Sequence, residues 1–280
     1  MGTSELSASG RYLLGDSPAE LRHLVEQAEV YAKEATELFD LIGVEPGSAV
    51  IDVGCGVLGV VHLLAERVGA SGRVVGLDRE VKMVESGRRF AEQHGLVVDF
   101  IHADATASGL PAHSFDLVHA RTLLLNVQNP PEILTEMVRI AKPGSVVTVQ
   151  EPDASAWSCD PPDPAFDILR GAILDAYRRT GKDFNIGRRI AGMLRDAGVQ
   201  GVQVRATARV THAREYYQTF LLTIASLVRD LVVDTGDLTA DEFDSYAAAL
   251  RAHLEAPDTI TCQPLMWQAW GRTARMADAG

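Results

Sequence analysis

The sequence predicts an α/β fold built on a doubly wound, mostly parallel sheet, and two observations carry that expectation. Between Ala49 and Glu151 short apolar runs alternate with amphipathic stretches, the pattern of successive βαβ units whose strands are buried on both faces. The first of these runs passes directly into a glycine-rich turn, Asp52-Val53-Gly54-Cys55-Gly56-Val57-Leu58-Gly59, at the carboxyl end where such sheets bind ligands.

The elements follow in order. Residues 1–16 lack periodicity and read as an arm. Ser17-Pro18-Ala19-Glu20 supplies an N-cap, a proline at the first helical position and a capping-box acid. Leu21, Leu24, Ala28, Tyr31, Ala35 and Leu38 then form one apolar stripe, and Gly43 with Pro46-Gly47 ends the helix. Strands are predicted at 49–53, 73–77, 97–101, 115–119 and 145–151, with helices near 60–69, 80–94 and 130–141. After Pro152 the alternation stops. Helices are expected at about 165–179, 187–197, 213–233 and 239–255, with strands at 202–210 and 261–273. This is more helix than a sheet needs, and the excess is assigned to a cap over the ligand.

Composition narrows the function. The 280 residues carry a formal net charge of −12 and no run of Lys or Arg, which disfavours a nucleic-acid partner. No apolar stretch is long enough to span a membrane, and the N-terminus lacks signal-peptide character, so a cytoplasmic protein is expected. Cys55, Cys159 and Cys262 have no metal or redox spacing. No metal site is expected. Lys33, Lys82, Lys142 and Lys182 are heavily outnumbered by arginine, a bias that suggests a GC-rich genome and a role in specialised (secondary) metabolism.

Gly54, Gly56 and Gly59 also spell G-x-G-x-x-G, and Asp78 follows the second strand at the distance of a ribose-binding acid. A nicotinamide-dinucleotide reading is therefore open. Asp52 argues against it, because a carboxylate two residues before the first glycine would repel a pyrophosphate, whereas a ligand bearing ammonium and sulfonium groups suits an acidic loop.

With these residues the sequence resembles the class I S-adenosylmethionine-dependent methyltransferases, near the ubiquinone/menaquinone-biosynthesis-like branch acting on small molecules. The resemblance covers about residues 46–151. It implies a Rossmann-like, seven-stranded sheet with an N-terminal helix and helical cap insertions: 1–45 as arm and helix, 46–152 as the cofactor-binding core, and 153–280 as the remaining sheet plus cap, all in one structural domain. It implies S-adenosyl-L-methionine as cofactor, with Asp52, Gly54, Cys55 and Gly56 on its methionine part. Asp78 and Arg79 would sit at the ribose, Asp104 and Ala105 at the adenine, and Tyr12, Gln27 and His119 nearby. The Lys142-Pro143-Gly144 turn and Leu194-Arg195-Asp196-Ala197-Gly198-Val199 match the same branch. The chain departs from it at Leu58, which stands where a third glycine is usual, with Gly59 one place later, so a slightly different path of the loop around the cofactor is expected.

Direct displacement needs alignment more than it needs a base. His119, Arg121 and Glu151, at the ends of the fourth and fifth strands, are the acceptor-side candidates; His119 could act as a general base. Trp157, His212, Tyr216, Tyr217, Trp267 and Trp270 are candidates for lining an acceptor pocket. Asp160-Pro161-Pro162-Asp163 resembles the Asp-Pro-Pro-Tyr motif of nucleobase amino-methyltransferases, but stands in the wrong place and lacks the tyrosine. The expected activity is metal-independent methyl transfer to a small organic acceptor; an aromatic body for that acceptor and a homodimeric state are left open. Competing readings are a cofactor-binding protein of the same fold engaged in regulation or non-transfer catalysis, and an NAD-dependent oxidoreductase.

Overall fold

Seven strands hydrogen-bond in the order β3 (Asp99–His102), β2 (Arg73–Asp78), β1 (Ala49–Val53), β4 (Phe115–Arg121), β5 (Ala141–Asp153), β10 (Leu265–Arg272) and β7 (Gln200–Thr207), and a separate three-stranded sheet runs β6 (Ser158–Asp160), β9 (Ile260–Cys262) and β8 (Val210–His212). They belong to a computed structural model that describes residues 25–275. The predicted Ser17–Glu20 helix start and Tyr12 lie outside those residues.

Within them the chain is helical from 25 to 30, turns at Tyr31 and continues as α1 (Ala32–Ile42). The expected stripe is buried at Ala28, Tyr31, Ala35 and Leu38, and Gly43 closes the helix in a left-handed conformation with its N–H on the Phe39 carbonyl. Then come β1 (Ala49–Val53), α2 (Val61–Val68), β2 (Arg73–Asp78), α3 (Val81–His94), β3 (Asp99–His102), β4 (Phe115–Arg121), α4 (Pro130–Ile140) and β5 (Ala141–Asp153). β1 to β5 pair in parallel, with Asp52 opposite His119 and Asp78 opposite His102. The central strands β1, β4 and β5 are buried along almost their whole length, which their unbroken apolar runs require. β3 begins two residues later than expected, β4 extends to Arg121, and β5 is longer at both ends.

The second half comprises β6 (Ser158–Asp160), α5 (Pro164–Arg179), α6 (Ile190–Asp196), β7 (Gln200–Thr207), β8 (Val210–His212), α7 (Phe220–Leu227), α8 (Arg229–Asp234), α9 (Ala240–Leu254), β9 (Ile260–Cys262) and β10 (Leu265–Arg272). Asp163 caps α5 by accepting from the Ala165 and Phe166 N–H groups, and Thr239 with Glu242 forms a complete capping box on α9.

Two predicted strands are corrected. Residues 202–210 and 261–273 each read as one strand, but each divides between the two sheets. β7 and β10 pair in the large sheet, β8 and β9 in the small one. Pro264, which has no N–H for a ladder, stands between β9 and β10. β10 enters the large sheet antiparallel to both β5 and β7, leaving β7 as a polar, largely exposed edge. α5 packs on α7, α8 and α9, and this helical layer is joined to the sheet by buried aromatic residues, Trp157 stacking on Phe184 at 5.5 Å and Tyr217 on Phe220 at 4.4 Å. Among the described residues no helix is long and apolar enough to cross a membrane.

Candidate active site

The carboxyl ends of β1, β2 and β4 open onto a cavity of about 230 Å³. Its lining includes Gln27, Asp52, Gly54, Cys55, Gly56, Asp78, Arg79, Asp104, Ala105 and Arg121, so the fold brings together most of the residues singled out from the sequence. Gly59 lines it as well, while Leu58 is packed into the core.

The glycine loop is held from both sides. Asp78 Oδ2 accepts from the Gly56 N–H at 2.8 Å and its Oδ1 from the Glu80 N–H at 2.9 Å; burial nevertheless raises its pKa above the usual carboxylate range. Gly59 has φ +47° and lies so close to the first strand that a Cβ there would stand 2.1 Å from Asp52 Oδ2. The displaced glycine is therefore a steric requirement of the acid preceding it. Gly54 is approached from the other side, less closely, a Cβ there lying 2.7 Å from the Leu123 side chain. Asp104 Oδ1 accepts from the Thr106 N–H and hydroxyl, which lowers its pKa.

Asp52 is buried and fully engaged. Oδ2 accepts from the Val60 N–H at 3.0 Å, and Oδ1 lies 2.7 Å from His119 Nδ1. Behind His119 a row of side chains crosses the sheet: Gln150 Nε2 at 2.8 Å from His119 Nε2, Gln268 Nε2 at 2.6 Å from Gln150 Oε1, and Arg205 Nε at 2.5 Å from Gln268 Oε1. Arginine can only donate, so Gln268 must present its oxygen to Arg205 and its amide to Gln150, which in turn donates to His119 Nε2. The imidazole proton then sits on Nδ1 and faces Asp52.

This corrects the expected role of His119. The ring is fully buried, with both nitrogens occupied by Asp52 and Gln150, and it is absent from the described lining of the cavity, a position that orients Asp52 rather than one that faces an acceptor. Glu151 is corrected likewise. It is fully buried beneath the segment after β4, where Oε1 accepts from the Leu123 and Leu124 N–H groups at 3.0 and 2.7 Å and Oε2 from Leu125 at 3.3 Å. Burial pushes its pKa up to about 8 against those donors. It clamps a turn and is absent from the described lining of the cavity.

Arg121 does reach the cavity. Nη2 donates to the Gly59 carbonyl at 3.0 Å, and Nη1 is buried with no hydrogen-bond partner among the described residues. Burial lowers its pKa, with Asp52 opposing that shift.

Of the suggested pocket aromatics, Trp157 and Tyr217 belong to the core, His212 is exposed, and Trp270 lies by a separate groove at the far end of β10. Trp267 is partly buried against the core, and the Tyr216 side chain lies outside the described residues. A second cavity of about 40 Å³ adjoins the first, lined by Tyr31, Tyr177, Phe184 and Phe220. Gln27, Thr122 and Asn126 line both cavities. Thr122 and Asn126 were not anticipated, although the rule that ligands gather at strand ends points to the residues following Arg121.

Comparison with known proteins agrees with this geometry. Residues 44–170 match the family described as a methyltransferase domain. Phosphoethanolamine N-methyltransferase 3 of Arabidopsis thaliana is 31% identical over 170 residues, 59% of this chain and 31% of that protein. Demethylmenaquinone methyltransferase of Listeria welshimeri is 32% identical over 133 residues, 46% of this chain and 56% of that protein. The matched stretch thus spans 31% to 56% of the length of these relatives. Among solved structures, a candidate methyltransferase from Bacillus halodurans aligns with TM-score 0.59 at 15% identity, covering 85% of this chain and 97% of that one. Phosphoethanolamine N-methyltransferase 2 of Haemonchus contortus, solved with phosphomonomethylethanolamine and S-adenosylhomocysteine, aligns with TM-score 0.55 at 14% identity, covering 88% and 53%. The sheet order and these matches identify the domain as a class I methyltransferase domain.

Proposed function

Starting from a class I methyltransferase domain at residues 44–170, we propose that this protein transfers a methyl group from S-adenosylmethionine to a small organic acceptor of specialised metabolism. The observation that carries the reading is the convergence in one cavity of the Gly54–Gly59 loop, Asp78 and Asp104, from three successive strand ends.

The residues fit this cofactor. Arg121 Nη1, buried and without a hydrogen-bond partner among the described residues, is a ready donor for the methionine carboxylate, since leaving a guanidinium N–H desolvated is costly. Asp78 retains acceptor capacity for the ribose hydroxyls beyond its two backbone bonds, and Asp104 keeps Oδ2 for the adenine amine. The acids of the lining, Asp52, Asp78, Glu80 and Asp104, outweigh Arg79 and Arg121, a field suited to positive ammonium and sulfonium groups and hostile to a pyrophosphate. When bound, S-adenosylmethionine supplies an electrophilic methyl group that bonds to the acceptor as its bond to sulfur breaks, the electron pair remaining on sulfur. The chain's own residues supply alignment: Glu151 and Gly54 fix the turn carrying Thr122 to Asn126, and the His119 row fixes Asp52 beneath the loop. No acid or base within the lining is required to act on the acceptor. Among the described residues no group of three or more His, Cys, Asp or Glu side chains is placed to hold a metal ion.

Isothermal titration with S-adenosylmethionine and with NAD(H) tests the assignment. Saturable binding of the first and no response to the second is expected; the reverse would sink it.

A further inference from the structure

Two cavities meet at Gln27, Thr122 and Asn126, and in a methyl transfer the reacting atoms must meet where cofactor and acceptor spaces join. Resting on the methyltransferase reading, we propose that the second cavity is the acceptor subsite and takes an uncharged, ring-bearing molecule whose N–H or O–H is held by Asn126 Oδ1 and methylated there.

Asn126 is nine-tenths buried. Its Nδ2 donates to the Thr122 carbonyl at 2.9 Å, which settles which end of the amide is oxygen, and that Oδ1 has no hydrogen-bond partner among the described residues. A buried acceptor that the described residues leave unpaired calls for a donor, which a bound acceptor molecule can supply. An acceptor-substrate N–H or O–H meets that need, whereas a carbon nucleophile does not.

The backbone around it is built for the position. Thr122 is β-branched yet has φ +52°, a conformation that costs free energy and persists only where its surroundings enforce it. Here they do. The Thr122 N–H donates to the Gln150 carbonyl, its own carbonyl accepts from Asn126, and Glu151 takes the next three N–H groups. The strain turns the chain back so that both Thr122 and Asn126 border the two cavities.

The chemical class follows from the rest of the lining. Tyr31, Tyr177, Phe184 and Phe220 offer ring faces and edges, and no Lys, Arg, His, Asp or Glu appears among the described residues around this cavity. A phosphate monoester entering it would lose its water with no cation to replace it. The site therefore selects against the phosphorylated amines named for the plant and nematode relatives. Transfer forms the heteroatom–carbon bond and breaks the sulfur–carbon bond with its pair going to sulfur. The acceptor's proton leaves to water, because an amide oxygen is too weakly basic to retain it.

Calorimetry on the full chain saturated with S-adenosylhomocysteine tests this with phenol, its methyl ether anisole, and phosphoethanolamine. Phenol is expected to bind roughly tenfold or more tightly than anisole, the ratio that one buried hydrogen bond supplies, with phosphoethanolamine weaker than either. On protein saturated with S-adenosylhomocysteine, Asn126→Leu should erase the preference for phenol, and Asn126→Asp, which keeps an acceptor oxygen there, should retain it. Absence of phenol binding, tighter binding of phosphoethanolamine, or a preference that survives in Asn126→Leu overturns the proposal. If the parent chain fails to bind S-adenosylhomocysteine, the methyltransferase reading falls, and this one with it.

Discussion

Replacing Gly59 with alanine isolates the contact on which the ligand loop rests. At φ +47° a non-glycine residue already costs about 1–2 kcal/mol. The added Cβ would also stand 2.1 Å from Asp52 Oδ2 and 2.8 Å from the Cys55 carbonyl, so atoms on both sides must move. Asp52 has nowhere to go without lengthening its 3.0 Å bond from the Val60 N–H or its 2.7 Å bond with His119. Losing one hydrogen bond to a buried charge costs about 1.5–3 kcal/mol, which brings the total to roughly 3–5 kcal/mol. In a protein of this size that lowers the melting temperature by roughly 6–20 °C. Gly43→Ala is the control: φ is +72° there too, but a Cβ meets nothing within 4 Å, so only the conformational cost of about 1–2 kcal/mol applies. Thermal denaturation of the two variants beside the parent gives the answer. If Gly59→Ala is no less stable than Gly43→Ala, the steric coupling between the glycine and Asp52 is wrong.

Other predictions follow from the same contacts. Asp78→Ala removes the carboxylate that holds the Gly56 N–H, and S-adenosylmethionine should bind roughly 10- to 100-fold more weakly by calorimetry; unchanged affinity would remove Asp78 from the site. His119→Ala deprives buried Asp52 of a partner and should destabilise the fold by about 2–4 kcal/mol in urea titrations, with any loss of turnover tracking the loss of cofactor affinity. A stable variant with normal cofactor binding and much slower turnover would instead restore His119 as a base. Glu151 makes stability depend on pH. Its folded pKa of about 8 lies above the 4.5 of a free glutamate, so the fold favours the protonated form; that contribution is complete below about pH 4, is lost as pH rises through 8, and amounts to about 5 kcal/mol at most. Denaturation from pH 5 to 9 should therefore show the parent losing stability relative to Glu151→Gln, and parallel curves would contradict it.

Much of this protein was legible in one dimension because the periodicity of apolar residues follows from burial alone. The unbroken runs of β1, β4 and β5 mark strands covered on both faces, and acids standing at three successive strand ends converge because parallel strands point their carboxyl ends the same way. What remained hidden depends on contacts between residues far apart in the chain. His119 and Glu151 look like strand-end reagents in sequence, and only their neighbours across the sheet, Gln150 for one and the N–H groups of Leu123 to Leu125 for the other, turn them inward as supports. The division of 202–210 and 261–273 between two sheets is equally invisible, since the local β pattern is the same whichever partner a strand finds. Sequence alone determined the cofactor loop and the class of sheet, through residue type and spacing. Tertiary structure decided which polar groups face the cavities, because a side chain's direction and its hydrogen-bond partners are properties of the packed chain.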